Sequence, residues 1–145
     1  MPTTPKTTGT ILALDVGDKR VGVARASAVA RLPEPLVTLS RGADFFPKLK
    51  RIIAAEAVTD LVVGLPRGLD GQRTTQTEAT EAFVTELETQ IELPVHLQDE
   101  ALTSKKARAE LAAGKKPYQR GDVDALAAVY ILEDFLTAHP REVEV

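Results

Sequence analysis

Residues 10–27 read TILALDVGDKRVGVARAS: an unbroken apolar run stopping at Asp15, a Gly/Asp turn, then a second run that alternates. A continuous apolar run ending in a charge is the pattern of a strand buried on both faces. VGDKR supplies the turn and RVGVARAS the returning strand, so the two runs form a hairpin. Asp15 then stands at the rim of a core, and Gly17 beside it permits close approach of a ligand or of backbone.

Working outward, residues 1–9 are rich in Thr and Pro and read as a flexible tail. PLVTLS (35–40) is a third strand. Phe45, Leu49, Ile52, Ile53 and Ala57 recur at helical spacing, with Asp44 a candidate N-cap and Pro47 tolerated in the first turn. DLVVGLP (60–66) is a fourth strand, expected to stop at Gly64 and Pro66, and RGLDGQR (67–73) is a loop. A long helix follows with Ala79, Phe83, Leu87 and Ile91 on one stripe, and then a fifth strand, LPVHLQD, beginning after Pro94. A helix over about 103–113, the loop GKKPYQRG and a last helix over about 122–138 complete the chain.

The order β-β-β-α-β-α-β-α-α predicts an α/β fold. Its mixed five-stranded sheet begins as an antiparallel meander, continues with parallel strands, and carries helices on both faces. The last helix is apolar on nearly all sides from Ala125 to Leu132, so it should be pressed between the sheet and another element. One domain spans 10–139, and 140–145 form a second tail.

A chain of 145 residues is long enough to bury a real core as one domain. The absence of cysteine excludes disulfides, zinc-thiolate sites and thiol catalysis. Two separated histidines, His96 and His139, are too few for a His-rich metal site, so any metal is expected to have oxygen ligands, which favours Mg²⁺ or Mn²⁺. His96 falls within a short strand and reads as structural. The N-terminus lacks the apolar stretch of a signal peptide and no run reaches membrane-spanning length, so a cytoplasmic protein with no membrane partner is the default. A net charge of −3 argues against nonspecific coating of nucleic acid. The charge is uneven, however. Lys105, Lys106, Arg108, Lys115, Lys116 and Arg120 against Glu110 alone give residues 105–120 a net +5, leaving −8 for the rest.

Three acidic residues stand where elements begin or end: Asp15, Glu100 in PVHLQDE, and Asp124 in GDVDALAAVYIL. Of the adjacent pair Asp99-Glu100 only one can point to a given face; Glu100 is taken as the site residue, with Asp99 bracing the next helix and Thr103 a candidate N-cap. Asp122 reads as an N-cap, which puts Asp124 inside the first turn, where the helix dipole favours its charge. Two helical residues are about 200° apart, so Asp122 and Asp124 do not face the same ligand. Each carboxylate has a plain structural reading as a turn or cap residue. Three that converge repel one another unless a divalent cation lies between them, which points to a metal-dependent enzyme acting on phosphate. Lys19, Arg20, Gln72, Arg73 and the stretch Thr74–Gln76 are candidate substrate contacts. The basic stretch, with Lys105, Arg108, Lys115, Lys116 and Tyr118, reads either as a solvated helix face or as a phosphate-binding surface where Tyr118 stacks on a base or sugar. Its single sign and its place between Glu100 and Asp124 favour the second.

LALDVGDKRVGVA, LVVGLPRGLDG, LPVHLQDEALTS and VDALAAVYIL together resemble the four signature blocks of the YqgF-type nucleases, relatives of Holliday-junction resolvases with a ribonuclease-H-like fold. The likeness runs from about residue 10 to 137, in order and spacing. It implies metal-dependent phosphodiester hydrolysis, with the catalytic and metal-ligating carboxylates falling on Asp15, Glu100 and Asp124. It implies a nucleic-acid substrate: RNA in maturation of the small-subunit ribosomal RNA precursor at its 5′ end, or alternatively branched DNA. A homodimer suits symmetric junction cutting and a monomer suits RNA; the sequence leaves this open. The family's Asp-Glu-Arg block here reads Asp99-Glu100-Ala101, so one basic contact is missing, with Arg20, Arg73 or Lys105 as candidates to replace it. A non-catalytic nucleic-acid-binding module and an ATP-handling domain are the rival readings.

Overall fold

In the computed structural model, which describes residues 8–101 and 120–141, the apolar run at 11–14 is buried from both sides. It forms β1 (Thr10–Val16), the middle strand of a five-stranded sheet ordered β3-β2-β1-β4-β5. Period-two alternation sends Leu12 and Leu14 into one core and Ile11 and Ala13 into another. β2 (Arg20–Ser27) pairs antiparallel with β1, and β3 (Glu34–Ser40) antiparallel with β2, as the meander requires. β4 (Val58–Arg67) lies parallel to β1, and β5 (Val95–Ala101) parallel to β4.

β4 does not stop at Gly64 and Pro66, as the sequence led us to expect, but continues to Arg67. Its pairing with β1 ends at Leu14–Val63, whereas its pairing with β5 runs on to Arg67–Ala101. Beyond Val63 the strand is therefore an edge, where a proline interrupts no second ladder.

The first face of the sheet is covered by α1 (Phe45–Ala55) and α2 (Thr75–Gln90), whose Phe45, Leu49, Phe83 and Leu87 pack on Leu12, Leu14 and Leu61. Asp44 occupies the N-cap position of α1 without a capping hydrogen bond; its carboxylate instead pairs with Lys48 at 2.9 Å, which holds it below the usual carboxylate range. Ala57 does not extend the helical stripe. It adopts a left-handed φ of 52° just past the C-cap, which ends the helix. In α2 the buried stripe is Thr77, Thr80, Phe83, Val84 and Leu87, and Ala79 is exposed. The Thr77 hydroxyl is needed inside: it accepts the Thr74 N–H at 2.9 Å and donates to the Pro66 carbonyl at 2.5 Å. That exchange closes a capping box and ties the start of α2 to the end of β4.

Among the described residues, α3 (Arg120–Ala138) alone covers the opposite face. It starts two residues before the expected Asp122, which falls instead at the third helical position. Ile131, Leu132 and Phe135 are fully buried, each contributing about 1.5–3 kcal/mol of transfer free energy. The sheet beneath them is shallow, with Ala13, Ala24 and Ala26 in the same core, so the helix lies close. His96 belongs to this layer, its Nε2 2.9 Å from Asp60 Oδ2 and its ring 5.2 Å from that of Phe135. The helix expected over 103–113 lies outside the described residues. No described helix is long and apolar enough to cross a membrane.

Candidate active site at the carboxyl end of the sheet

Alternation places Asp15 on the α3 side of β1, directly opposite Gly22 of β2. Gly22 lets α3 descend onto the sheet there. A Cβ at Gly22 would lie 2.0 Å from the Asp124 carbonyl oxygen and 2.2 Å from its carbonyl carbon. The backbone of Asp124 therefore rests on Gly22, beside Asp15. Both aspartates line one cavity of about 390 Å³, together with Gly17, Asp18, Arg41, Pro66, Gln76 and Thr80. Residues 109 positions apart thus meet through the absence of a single side chain.

Asp124 is the fifth residue of α3, just past the first turn in which the sequence placed it, where the helix dipole is weaker. Its charge is balanced instead by Arg20, whose Nε donates to Asp124 Oδ2 at 2.7 Å. Glu100 is buried at 7% exposure on β5, opposite Pro66 of β4. The register Val62–His96, Gly64–Gln98, Pro66–Glu100 gives it the α3 side, shared with Asp15. It does not line the cavity, although Pro66 does. Among the described residues, no three His, Asp or Glu side chains are gathered into a metal-ligand set. The structure thus joins Asp15 to Asp124 and leaves Glu100 on the same sheet face, two strands away. Asp99 points to the other face and pairs with Arg67 at 3.3 Å; the helix it was expected to brace lies outside the described residues.

The basic candidates separate as clearly. Lys19 is exposed in the β1–β2 turn. Arg20 is engaged by Asp124. Arg73 lies outside the cavity lining and is paired with Glu81 through Nη1–Oε2 at 2.8 Å. The hydrogen bond raises the Arg73 pKa and lowers that of Glu81. Gln76 does line the cavity. Lys105, Arg108, Lys115, Lys116 and Tyr118 lie outside the described residues.

Three residues were not singled out from the sequence: Gly22, on which the Asp124 backbone rests, and the cavity residues Asp18 and Arg41. Gly22 was within reach, since a tight hairpin over 15–22 must pair it with Asp15. Arg41 was too, because the meander register sets Ser40 opposite Arg20 and so brings the next residue beside the β1–β2 turn.

Antiparallel β1–β3, parallel β4 and β5, and an acidic cavity at the carboxyl end of the central strand define a protein of the ribonuclease-H-like fold class. T. thermophilus RuvC, solved in complex with a Holliday junction substrate, has the same fold: its TM-score is 0.51 at 11% identity, covering 90% of this chain and 95% of that one. The chain belongs to the RuvX family, described as Holliday junction resolvase, whose sequence model matches residues 9–138. Similar proteins include one from Chloroflexus aurantiacus, 38% identical over 132 residues (88% of this chain, 86% of that one). Another, from Moorella thermoacetica, is 40% identical over 131 residues (87% and 93%). Both carry the name "Putative pre-16S rRNA nuclease".

Proposed function

We propose that this chain is a divalent-metal-dependent nuclease that hydrolyses phosphodiester bonds in the 5′ leader of pre-16S rRNA, with Asp15, Glu100 and Asp124 as its catalytic carboxylates. The observation that carries the proposal is the meeting of Asp15 and Asp124 across Gly22 in one cavity at the carboxyl end of the sheet. The donor set is all carboxylate oxygen, which suits Mg²⁺ or Mn²⁺ and no softer metal. Such an ion supplies Lewis acidity at the phosphate.

The chain's own residues divide the work. Asp15, on the central strand, is the fixed ligand. Asp124 approaches from the helix, and Arg20 holds its carboxylate in place. Glu100 projects from β5, two strands from β1 and so about 10 Å away; its extra methylene gives the reach that an aspartate there would lack. Lys19, Arg73, Lys105, Arg108, Lys115, Lys116 and Tyr118 stand as candidate contacts to the nucleic-acid strand, while Arg20 is committed to Asp124.

Cutting of branched DNA by a homodimer is the second reading, favoured by the family's description and by the fold shared with RuvC. The test is a cleavage assay with Mn²⁺ or Mg²⁺ on single-stranded RNA carrying the precursor 5′ end, on duplexes and on a four-way junction, with Asp124→Asn as control. Metal-dependent cutting of the RNA, lost in the variant, is expected. Cutting of the junction with the RNA spared transfers the proposal to the resolvase reading. Equal activity of Asp124→Asn and wild type removes Asp124 from the site.

A further inference from the structure

The cavity described above presents Asp15, Asp18 and Asp124 to a substrate that is itself a polyanion. An acidic floor repels a phosphate backbone, so affinity needs a cation at the rim. Arg20 and Arg73, named above as replacements for the basic residue absent at Ala101, are held by Asp124 and Glu81. Arg41 also lines the cavity, and among the described residues no carboxylate pairs with it.

Its position is fixed without being neutralised. The Arg41 N–H donates to the Lys19 carbonyl at 2.9 Å, and Nη1 donates to the Gly17 carbonyl at 3.0 Å. The guanidinium carbon sits 5.2 Å from the centroid of the Phe83 ring. Phe83 is itself buried and wedged between Phe45 and Phe46, at 5.7 Å and 6.3 Å between ring centroids, so it is a rigid platform. A guanidinium carries five donors, of which one goes to Gly17, and its planar fork matches two oxygens of a phosphate. Were pinning the β1–β2 turn its whole role, the backbone N–H and one donor would suffice, and exposure of the rest of the group in the cavity would serve nothing.

We infer that Arg41 binds a backbone phosphate of the nucleic-acid strand at the mouth of the cavity, held over Phe83 so that the strand crosses Asp15 and Asp124. The inference rests on the nuclease reading and adds a positioning residue to it.

The test is fluorescence anisotropy of a labelled single-stranded oligoribonucleotide and a labelled four-way junction across a salt series, with thermal unfolding run in parallel. Arg41→Gln keeps an amide donor and packing area without the charge, so folding is preserved while the phosphate contact is lost. Both Arg41→Gln and Arg41→Ala are expected to weaken binding about tenfold and to reduce the slope of log K against log salt by about 0.7 to 0.9, one phosphate contact. Phe83→Leu should weaken binding while leaving that slope unchanged, because the charge remains. Wild-type affinity and slope in both Arg41 variants, with the wild type binding normally, overturn the Arg41 assignment and leave the nuclease reading standing. Failure of the wild type to bind either nucleic acid overturns that reading and the inference with it.

Discussion

Replacing Gly22 by alanine adds one methyl group at the place where α3 meets the sheet. The added carbon would lie 2.0 Å from the Asp124 carbonyl oxygen, 2.2 Å from its carbonyl carbon and 2.8 Å from the Ala125 nitrogen. Ordinary carbon–oxygen contact is about 3.2–3.4 Å, so the two backbones must separate by about 1.2 Å. No side chain can rotate away to absorb this, because every atom met is main chain. Overpacking of this kind typically costs 1–3 kcal/mol, and the rigidity of both partners points to the upper end, about 3 kcal/mol. The same displacement lifts Asp124 from Asp15. A shift of about 1 Å in a catalytic group is enough to lower turnover about a hundredfold. Chemical denaturation gives the first quantity and a cleavage assay the second, on the same preparation. The decisive outcome is the pairing of modest destabilisation with a disproportionate loss of turnover in protein that remains folded. Wild-type midpoint and wild-type turnover in Gly22→Ala would refute the close approach of α3 and, with it, the route by which the two aspartates meet.

Other contacts make smaller, separable predictions. Gly64→Ala meets the Ile131 side chain at 2.5 Å rather than backbone; a loss of about 1 kcal/mol is expected, and adding Ile131→Val should recover part of it in denaturant midpoints. Thr74→Ala removes the capping oxygen of α2 and should cost about 1 kcal/mol, or roughly 3–4 °C in Tm. Ala57→Gly relieves a left-handed φ of 52° and should raise stability by up to about 1 kcal/mol, read by the same melts.

The hairpin at 10–27 was legible because its apolar run has no polar interruption, and the structure buries that run on both faces as the pattern demands. The meander, the crossovers and the helices on both faces followed from it. What the sequence concealed depends on tertiary partners. Gly64 and Pro66 punctuate an isolated strand, but β4 outlives its pairing with β1 and tolerates both. Ala79 continues an apolar period, yet Thr77 lies inside because its hydroxyl joins two elements at once. Asp15 and Asp124 were visible as charges next to buried runs. That they share one cavity beside Gly22 was not, since the glycine acts by what it leaves out. For Arg41 the meander register gave its place beside the turn but not its platform, a ring 42 residues away.

The most direct test of the central claim is calorimetric titration of Mn²⁺ into the wild-type protein and into Asp15→Asn, with circular dichroism confirming that both are folded. Saturable binding by the wild type, weakened at least tenfold in Asp15→Asn alongside loss of RNA cleavage, is the predicted result. Equal Mn²⁺ affinity in the two proteins would contradict the account, because the carboxylate at the end of the central strand would then hold no ion.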